Sequence, residues 1–394
     1  MFDVNKIHDV VMEAEQEALE CLQEILQTPS VTEHEVPISK VFAKWIEKAG
    51  IEPQIHGISE EHPNVLGEWF GSESGKRFVF NGHMDTFPAD AANPGLYGPF
   101  SGKVADGYVY GRGASDMKGG DAAALMAVTL LKRMGFDPKG SVLLSYMCDE
   151  EIGGRYGVKW MVKQELLNGD FGICMEPTHG RILVGHSGIY RAWITYQSEP
   201  ASSSRNHPRK NALEKSVRAI NALYQYRDEV KERKDPHYDC ASFSITTLHA
   251  GEATNVHASK SRFSIDYRMV PGDTHEKIEK EIRAILDSLK ELDSEMEYTL
   301  EVISDRPVLE VPEDSAIVKA CVEAYEETTG RKAEIFRRHG GSDAATIAAY
   351  NGILIPNWGA ADEMDATMPN EKILIKDYLD SIEYYMRTVV KMMQ

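Results

Sequence analysis

The sequence predicts an α/β fold in which one domain is interrupted by a smaller α+β domain. Three observations carry that reading. Short apolar strands alternate with helical patterns through the first half of the chain, which is the signature of an α/β layer. The pattern changes near Gly185 to the order β-α-β-β-α-β, a ferredoxin-like arrangement, and keeps it to about residue 303. The α/β pattern then returns to the C-terminus. At 394 residues the chain is longer than one ordinary domain. The expected division is therefore 1–184 with 304–394 as one domain, and 185–303 as an insert.

In chain order, Ile7, Val10, Val11, Ala14, Ala18, Leu22 and Ile25 recur at helical spacing, so a helix is expected over 6–27, ended by Pro29. A second helix is expected over 36–49, stopping at Gly50. Strands follow at 64–69, 77–81 and 141–147. Between the last two lies a Gly/Pro-rich connection, 86–115, longer than ordinary structural loops and of the length that functional loops have. A helix over 121–134 follows Gly119-Gly120. In the insert, strands at 189–197, 242–248, 261–268 and 296–303 flank helices at 208–231 and 274–291. Helices at 314–329, 342–350 and 373–392, with a strand at 352–357, complete the chain.

Composition narrows the function. Hydrophobic residues at 42% and charged residues at 27% are those of a globular protein. A net charge of −19 at pH 7 argues against binding nucleic acid or an anionic membrane surface, both of which call for a basic face. The five cysteines are scattered, with no C-x-x-C, so neither a disulfide framework nor a zinc finger is indicated. The N-terminal residues lack a basic segment followed by an apolar core, and no apolar run approaches the ~20 residues of a membrane span. The expected location is the cytoplasm.

Four strings carry chemistry. In Phe78-Val79-Phe80-Asn81-Gly82-His83-Met84-Asp85, an apolar strand ends in His-x-Asp, whose side chains share a face. Asp85 is placed to fix the His83 tautomer if His83 binds a metal, and a hydrogen-bonded core histidine is the alternative. In Gly111-Arg112-Gly113-Ala114-Ser115-Asp116-Met117-Lys118-Gly119-Gly120, Asp116 precedes a helix and reads either as a metal ligand or as a helix cap. Asp149-Glu150-Glu151 follows an apolar strand, and Glu176 in Met175-Glu176-Pro177-Thr178 follows another. Crowded acids at the carboxyl ends of buried strands are costly without cations. One histidine and four acids so placed, His83, Asp116, Glu150, Glu151 and Glu176, point to a divalent metal.

The strings NGHMDTFP, GRGASDMKGG, CDEEIGG and MEPT, in this order, resemble the M20 family of metallopeptidases and deacylases over essentially the whole chain. The resemblance implies an α/β/α zinc-peptidase-like catalytic domain interrupted by a lid and dimerisation domain, hence a homodimer. It implies that His83, Asp116 and Glu176 hold one metal and that Asp116 bridges to a second held by Glu151. Zinc, manganese and cobalt all suit such donors. Glu150 is implied as the general base acting on water activated by the metal. Asn255, Arg268 and Ser342 in Gly340-Gly341-Ser342-Asp343 resemble substrate-contacting residues. For Arg268 the alternatives are a grip on a substrate carboxylate and a structural ion pair with Asp266.

Two positions depart from the family pattern. Thr367, in Thr367-Met368-Pro369-Asn370-Glu371, stands where the family places a metal-binding histidine, and a hydroxyl is a poor zinc ligand beside imidazole. Ser202 stands nine residues before Asn211-Ala212, where the family places a lid histidine that polarises the scissile carbonyl. His207 is a candidate replacement for the second, and His339 or Asp365 for the first. The expectation is a hydrolase of a C–N bond in a small carboxylated substrate such as an N-acyl amino acid, with one or two metals per chain. A ureido or aromatic-amine substrate, and a metal- or ligand-binding homologue without turnover, are the other readings.

Overall fold

The computed structural model describes residues 2–204 and 211–394, which divide into two compact units. The larger comprises residues up to Gly185, Glu310–Phe336 and Ser342–Gln394. Its five-stranded sheet has the order Pro53–His56, Asn64–Phe70, Lys139–Met147, Glu73–His83 and Phe171–Cys174. The strand ending at His83 pairs in parallel with both neighbours, His83 opposite Met147 and Asn81 opposite Cys174. Phe78, Val79 and Phe80 are fully buried, as a parallel strand covered on both faces requires. The three parallel strands end together, and their carboxyl ends form one edge, where sites in such sheets lie.

The helix Lys118–Arg133 packs on these strands and is buried from Lys118 to Leu131. Its small Ala122, Ala123, Ala124 and Ala127 combine high helix propensity with close approach to the sheet. Gly120 is required at that contact, because a Cβ there would run into the Met175 carbonyl, next to Glu176. The C-terminal helix Ile375–Met393 lies against the helix Lys118–Arg133 and the strand Glu73–His83, burying Tyr378, Ile382, Tyr385, Met386 and Val389.

The smaller unit comprises His186–Leu309 and Arg337–Gly341. Its antiparallel sheet has the order Ser242–Ala250, Lys260–Met269, Gly188–Gln197, Tyr298–Arg306, with helices Ala212–Val230 and His275–Leu292 in the split β-α-β-β-α-β sequence. Leu223, Tyr226, Phe263, Ile265, Ile278, Ile282 and Leu286 share its buried core. The unit runs past the expected boundary at 303 because its last strand continues to Arg306. It also takes in Arg337–Gly341, where Ser187 N–H donates to the Arg338 carbonyl and Gly340 N–H to Ser187 Oγ.

Other differences from the sequence expectation are local. The first helix is two, Ile7–Glu13 and Glu15–Gln27, separated at Ala14, whose N–H is shared between the Val10 and Val11 carbonyls. The strand expected at 352–357 occurs only as single bridges, Leu354 to Phe171 and Asn357 to Cys174 and Leu183. The connection 86–115 contains strands Lys103–Ala105 and Tyr108–Tyr110, which pair with each other, and Tyr108–Tyr110 pairs in turn with Lys372–Leu374. These pairs are too short to show periodicity in the sequence.

Candidate metal centre

His83 is the last residue of the central strand and is buried. Its Nδ1 lies 3.0 Å from the Asp85 backbone carbonyl and 3.4 Å from Asp85 Oδ1. Both are acceptors, so Nδ1 carries a proton. Its Nε2 faces Asp116 Oδ1 at 3.2 Å. Asp85 is thus the orienting partner of His83, through its main-chain carbonyl at the shorter distance. Its carboxylate has another task. Asp85 Oδ1 accepts from Glu150 N–H at 3.0 Å, and Oδ2 from Glu151 N–H at 3.2 Å and Thr32 Oγ1 at 2.8 Å. Asp85 therefore fixes the turn carrying both glutamates to the strand end carrying His83.

The same turn is held from a third side. Asp149 has left-handed backbone, φ +51, and its N–H donates to Glu35 Oε1 at 3.1 Å. The Asp149 carboxylate accepts from Tyr156 and Gly157 N–H. Glu150 and Glu151 open a short 3-10 helix, Glu150–Ile152. Asp116 precedes the helix Lys118–Arg133 on a loop that begins at Gly111, and the Asp116–Met117 peptide is cis. Lys118, fully buried, ties this helix start to the end of the helix Glu15–Gln27 by donating to the Ile25 and Thr28 carbonyls. Burial pulls its amine down to about 7.

Donor atoms of His83, Asp116 and Glu151 all lie within 4.8 Å of one another. Glu151 Oε1 is buried with no hydrogen-bond partner among the described residues. Burial, then the Asp116 charge, pushes the Glu151 carboxyl up to about 10. Burial disfavours the His83 imidazolium, yet hydrogen bonds to Asp116 and Asp85 and the Glu150 charge hold its pKa well above the usual value. Asp85 is held below its usual value: burial opposes this, but His83, Thr32 and the Glu151 N–H outweigh it. Two carboxylates forced against each other around an imidazole, one with an orphaned oxygen, fit a divalent cation. The nitrogen and carboxylate donors are of the type zinc, manganese and cobalt accept.

Glu176 is buried two residues beyond the strand Phe171–Cys174, on the same sheet edge, but is not in the three-residue cluster. Thr367 is exposed, has left-handed backbone at φ +65, and offers its carbonyl to Arg112 Nη2 at 3.1 Å. Asp365 is half-buried and also outside the cluster. His339 belongs to the smaller unit, its ring 5.9 Å from that of Tyr238. His207 lies outside the described residues.

Of the substrate-contact candidates, Ser342 is fully buried and exchanges hydrogen bonds with Asn357, so its hydroxyl serves as an internal tie. Arg268 Nε donates to Asp266 Oδ1 at 2.7 Å, the structural pair weighed above, and Arg191 shares the same carboxylate. Asn255 is exposed, and its carbonyl accepts from Ser203 N–H. Ser202 is exposed in the strand pair Ala201–Ser202 with Val256–His257.

Two supporting residues carry no mark in the sequence. A lone glutamate before a helix, Glu35, gives no signal, and Glu371 stands in the Met368-Pro369-Asn370-Glu371 string, whose departure from the family pattern is at Thr367. Buried Glu371 accepts from Gly113, Ser115 and Asp116 N–H and pairs with Arg112 at 2.7 Å.

The profile of peptidase family M20/M25/M40 matches residues 79–391. A succinyl-diaminopimelate desuccinylase of Parvibaculum lavamentivorans is 28% identical over 354 residues, covering 86% of this chain and 88% of that protein. That of Methylobacterium radiotolerans is 30% identical over 345 residues, covering 84% and 86%. Among solved structures, an M20 family metallo-carboxypeptidase of Sulfolobus solfataricus superposes with a TM-score of 0.78 at 19% identity, covering 95% of this chain and 98% of that one. A dinuclear metal binding peptidase of Bacillus subtilis superposes with a TM-score of 0.69 at 17% identity, covering 97% and 99%. With its profile matched over more than three quarters of the sequence, the chain belongs to peptidase family M20/M25/M40 and is a metal-dependent hydrolase of C–N bonds.

Proposed function

We propose that this hydrolase cleaves the amide bond of a small carboxylated substrate such as an N-acyl amino acid, with Glu150 as general base and one firmly held metal. The observation that carries the reading is the Asp85 clamp, which binds the Glu150 and Glu151 backbone beside His83 and so holds the turn carrying Glu150 at the metal-binding cluster. A bound divalent cation, zinc first and manganese or cobalt next, supplies Lewis-acid polarisation and eases the ionisation of water at neutral pH. The Glu150 carboxylate takes the proton from the attacking water and returns it to the departing amine nitrogen. His83, Asp116 and Glu151 hold the cation, with Glu176 a further ligand from the adjoining strand end. The desuccinylase names of the relatives support an acyl-amide substrate.

The exposed Thr367 favours a second reading, a ureido or aromatic-amine substrate handled with one metal, because the position lacks an imidazole. We also place the protein in the cytoplasm as a homodimer. Among the described residues no helix is long and apolar enough to cross a membrane, and the smaller sheet has the edge strand Ser242–Ala250 available for pairing. The test is turnover of a panel of N-acyl, N-succinyl and ureido amino acids by zinc-loaded wild type and Glu150→Gln. Turnover by the variant within tenfold of wild type on every substrate cleaved would sink the mechanism.

A further inference from the structure

The segment Thr367–Glu371, which offers no imidazole, is nevertheless bound at two points to the long connection 86–115. Asn370 Oδ1 accepts from Leu96 N–H at 2.7 Å, and the Glu371 carbonyl accepts from Gly111 N–H at 3.0 Å. The Glu371 side chain reaches further in. Its Oε1 accepts three backbone N–H groups of one loop, from Gly113 at 3.0 Å, Ser115 at 3.0 Å and Asp116 at 3.1 Å. Its Oε2 takes Arg112 Nη1 at 2.7 Å, and Arg112 Nη2 returns to the Thr367 carbonyl at 3.1 Å. Both Glu371 and Arg112 are buried. A second tie, Ser115 Oγ to the Asp362 carbonyl at 2.5 Å, secures the same loop.

Three N–H donors converging on one carboxylate oxygen define where the loop backbone lies, and the last of them belongs to Asp116. The Asp116 side chain then meets His83 Nε2. We propose that Glu371, braced by Arg112, is the positioning residue that fixes Asp116 for metal binding, so that the Thr367–Glu371 segment serves the metal centre through the protein backbone. The inference rests on the metal-centre reading above and adds a residue to it. Outer partners of metal ligands act by holding ligands in place, and their loss weakens metal binding about 10–100-fold. Glu371 touches neither metal nor substrate in this arrangement.

The test measures zinc affinity of the full chain by competition with a chromophoric chelator, alongside the melting temperature of the chelated protein. Glu371→Gln keeps an acceptor oxygen but removes the charge shared with Arg112. Glu371→Asp keeps the charge but draws it back by one methylene, and serves if the first variant does not fold. Leu286→Ala, in the core of the smaller unit, is the control for general destabilisation. The proposal expects the zinc dissociation constant to rise at least fivefold in the Glu371 variant and less than twofold in Leu286→Ala. A rise below fivefold in the Glu371 variant, whatever the loss in melting temperature, overturns it and leaves Glu371 a structural residue. An equal rise in the control overturns it too. Failure of wild type to bind zinc would instead overturn the metal-centre reading itself.

Discussion

Replacing Glu35 by glutamine isolates a charge that the fold holds at a disadvantage. Its Oε1 accepts from Asp149 and Glu33 N–H, while its buried Oε2 has no hydrogen-bond partner among the described residues. Burial, then the nearby Asp85 charge, raises the carboxyl from 4.5 to about 7. Below pH 4.5 the folded and unfolded chains both hold this proton. As pH rises from 4.5 to 7 the unfolded chain gives it up while the folded one keeps it, so folding stability falls. Above pH 7 both have lost it and the penalty is constant. At about 1.4 kcal/mol per tenfold this amounts to roughly 3 kcal/mol, and solvent screening at the edge of the site reduces it to about 2. Glutamine keeps the Oε1 acceptor and imitates the protonated acid. Urea denaturation of the chelated protein from pH 4 to 8 should find Glu35→Gln equal to wild type at pH 4 and about 2 kcal/mol more stable at pH 8. A difference independent of pH, or one favouring wild type as pH rises, would show that the Glu35 charge is not held at a disadvantage in the fold.

Further expectations follow from the same geometry. Glu150→Gln should lower kcat by about 10²–10⁴ with zinc affinity retained, checked by steady-state kinetics beside metal analysis. Zinc loading of the metal-free protein near pH 7 should release protons, because His83 and Glu151 both hold theirs there, and zinc affinity should fall as pH falls. A weakly buffered indicator titration measures both. Gly120→Ala should destabilise by about 1–3 kcal/mol and weaken metal binding, since its Cβ displaces Met175 beside Glu176. Leu144→Ala, fully buried in the strand Lys139–Met147, should cost about 2–5 kcal/mol in denaturant unfolding without altering zinc affinity in the folded protein.

The parts of this molecule that repeat a period were legible in its sequence. Phe78–Phe80 reads as a buried strand because three consecutive apolar residues precede His83, and the helices flanking the smaller sheet show their apolar faces plainly. The order of elements in 185–303 followed from strand and helix lengths alone. The cluster of His83, Asp116 and Glu151 was legible because metal chemistry needs those residue types and strands deliver them to one edge. What escaped was the support beneath it. The His-x-Asp string places Asp85 beside His83, where it lies, but nothing in the string shows that the same carboxylate also accepts from the backbone of Glu150 and Glu151, 65 and 66 residues away. Glu371 bonds to Asp116 N–H across 255 residues, and Glu35 to Asp149 N–H across 114. A carboxylate that accepts from main-chain N–H has no partner side chain to mark it. Ser342, in a Gly-Gly-Ser-Asp string that resembles a substrate loop, is buried and hydrogen-bonded to Asn357, a partner the string does not mark.

A metal centre built on His83, Asp116 and Glu151, with Thr367 in place of an imidazole, is proposed to hold one ion strongly. The most direct measurement is metal content by elemental analysis after zinc reconstitution and removal of loosely held ions, on wild type and Thr367→His. One zinc per chain is expected in wild type and a second in the variant. Two in wild type, or none, would contradict that proposal.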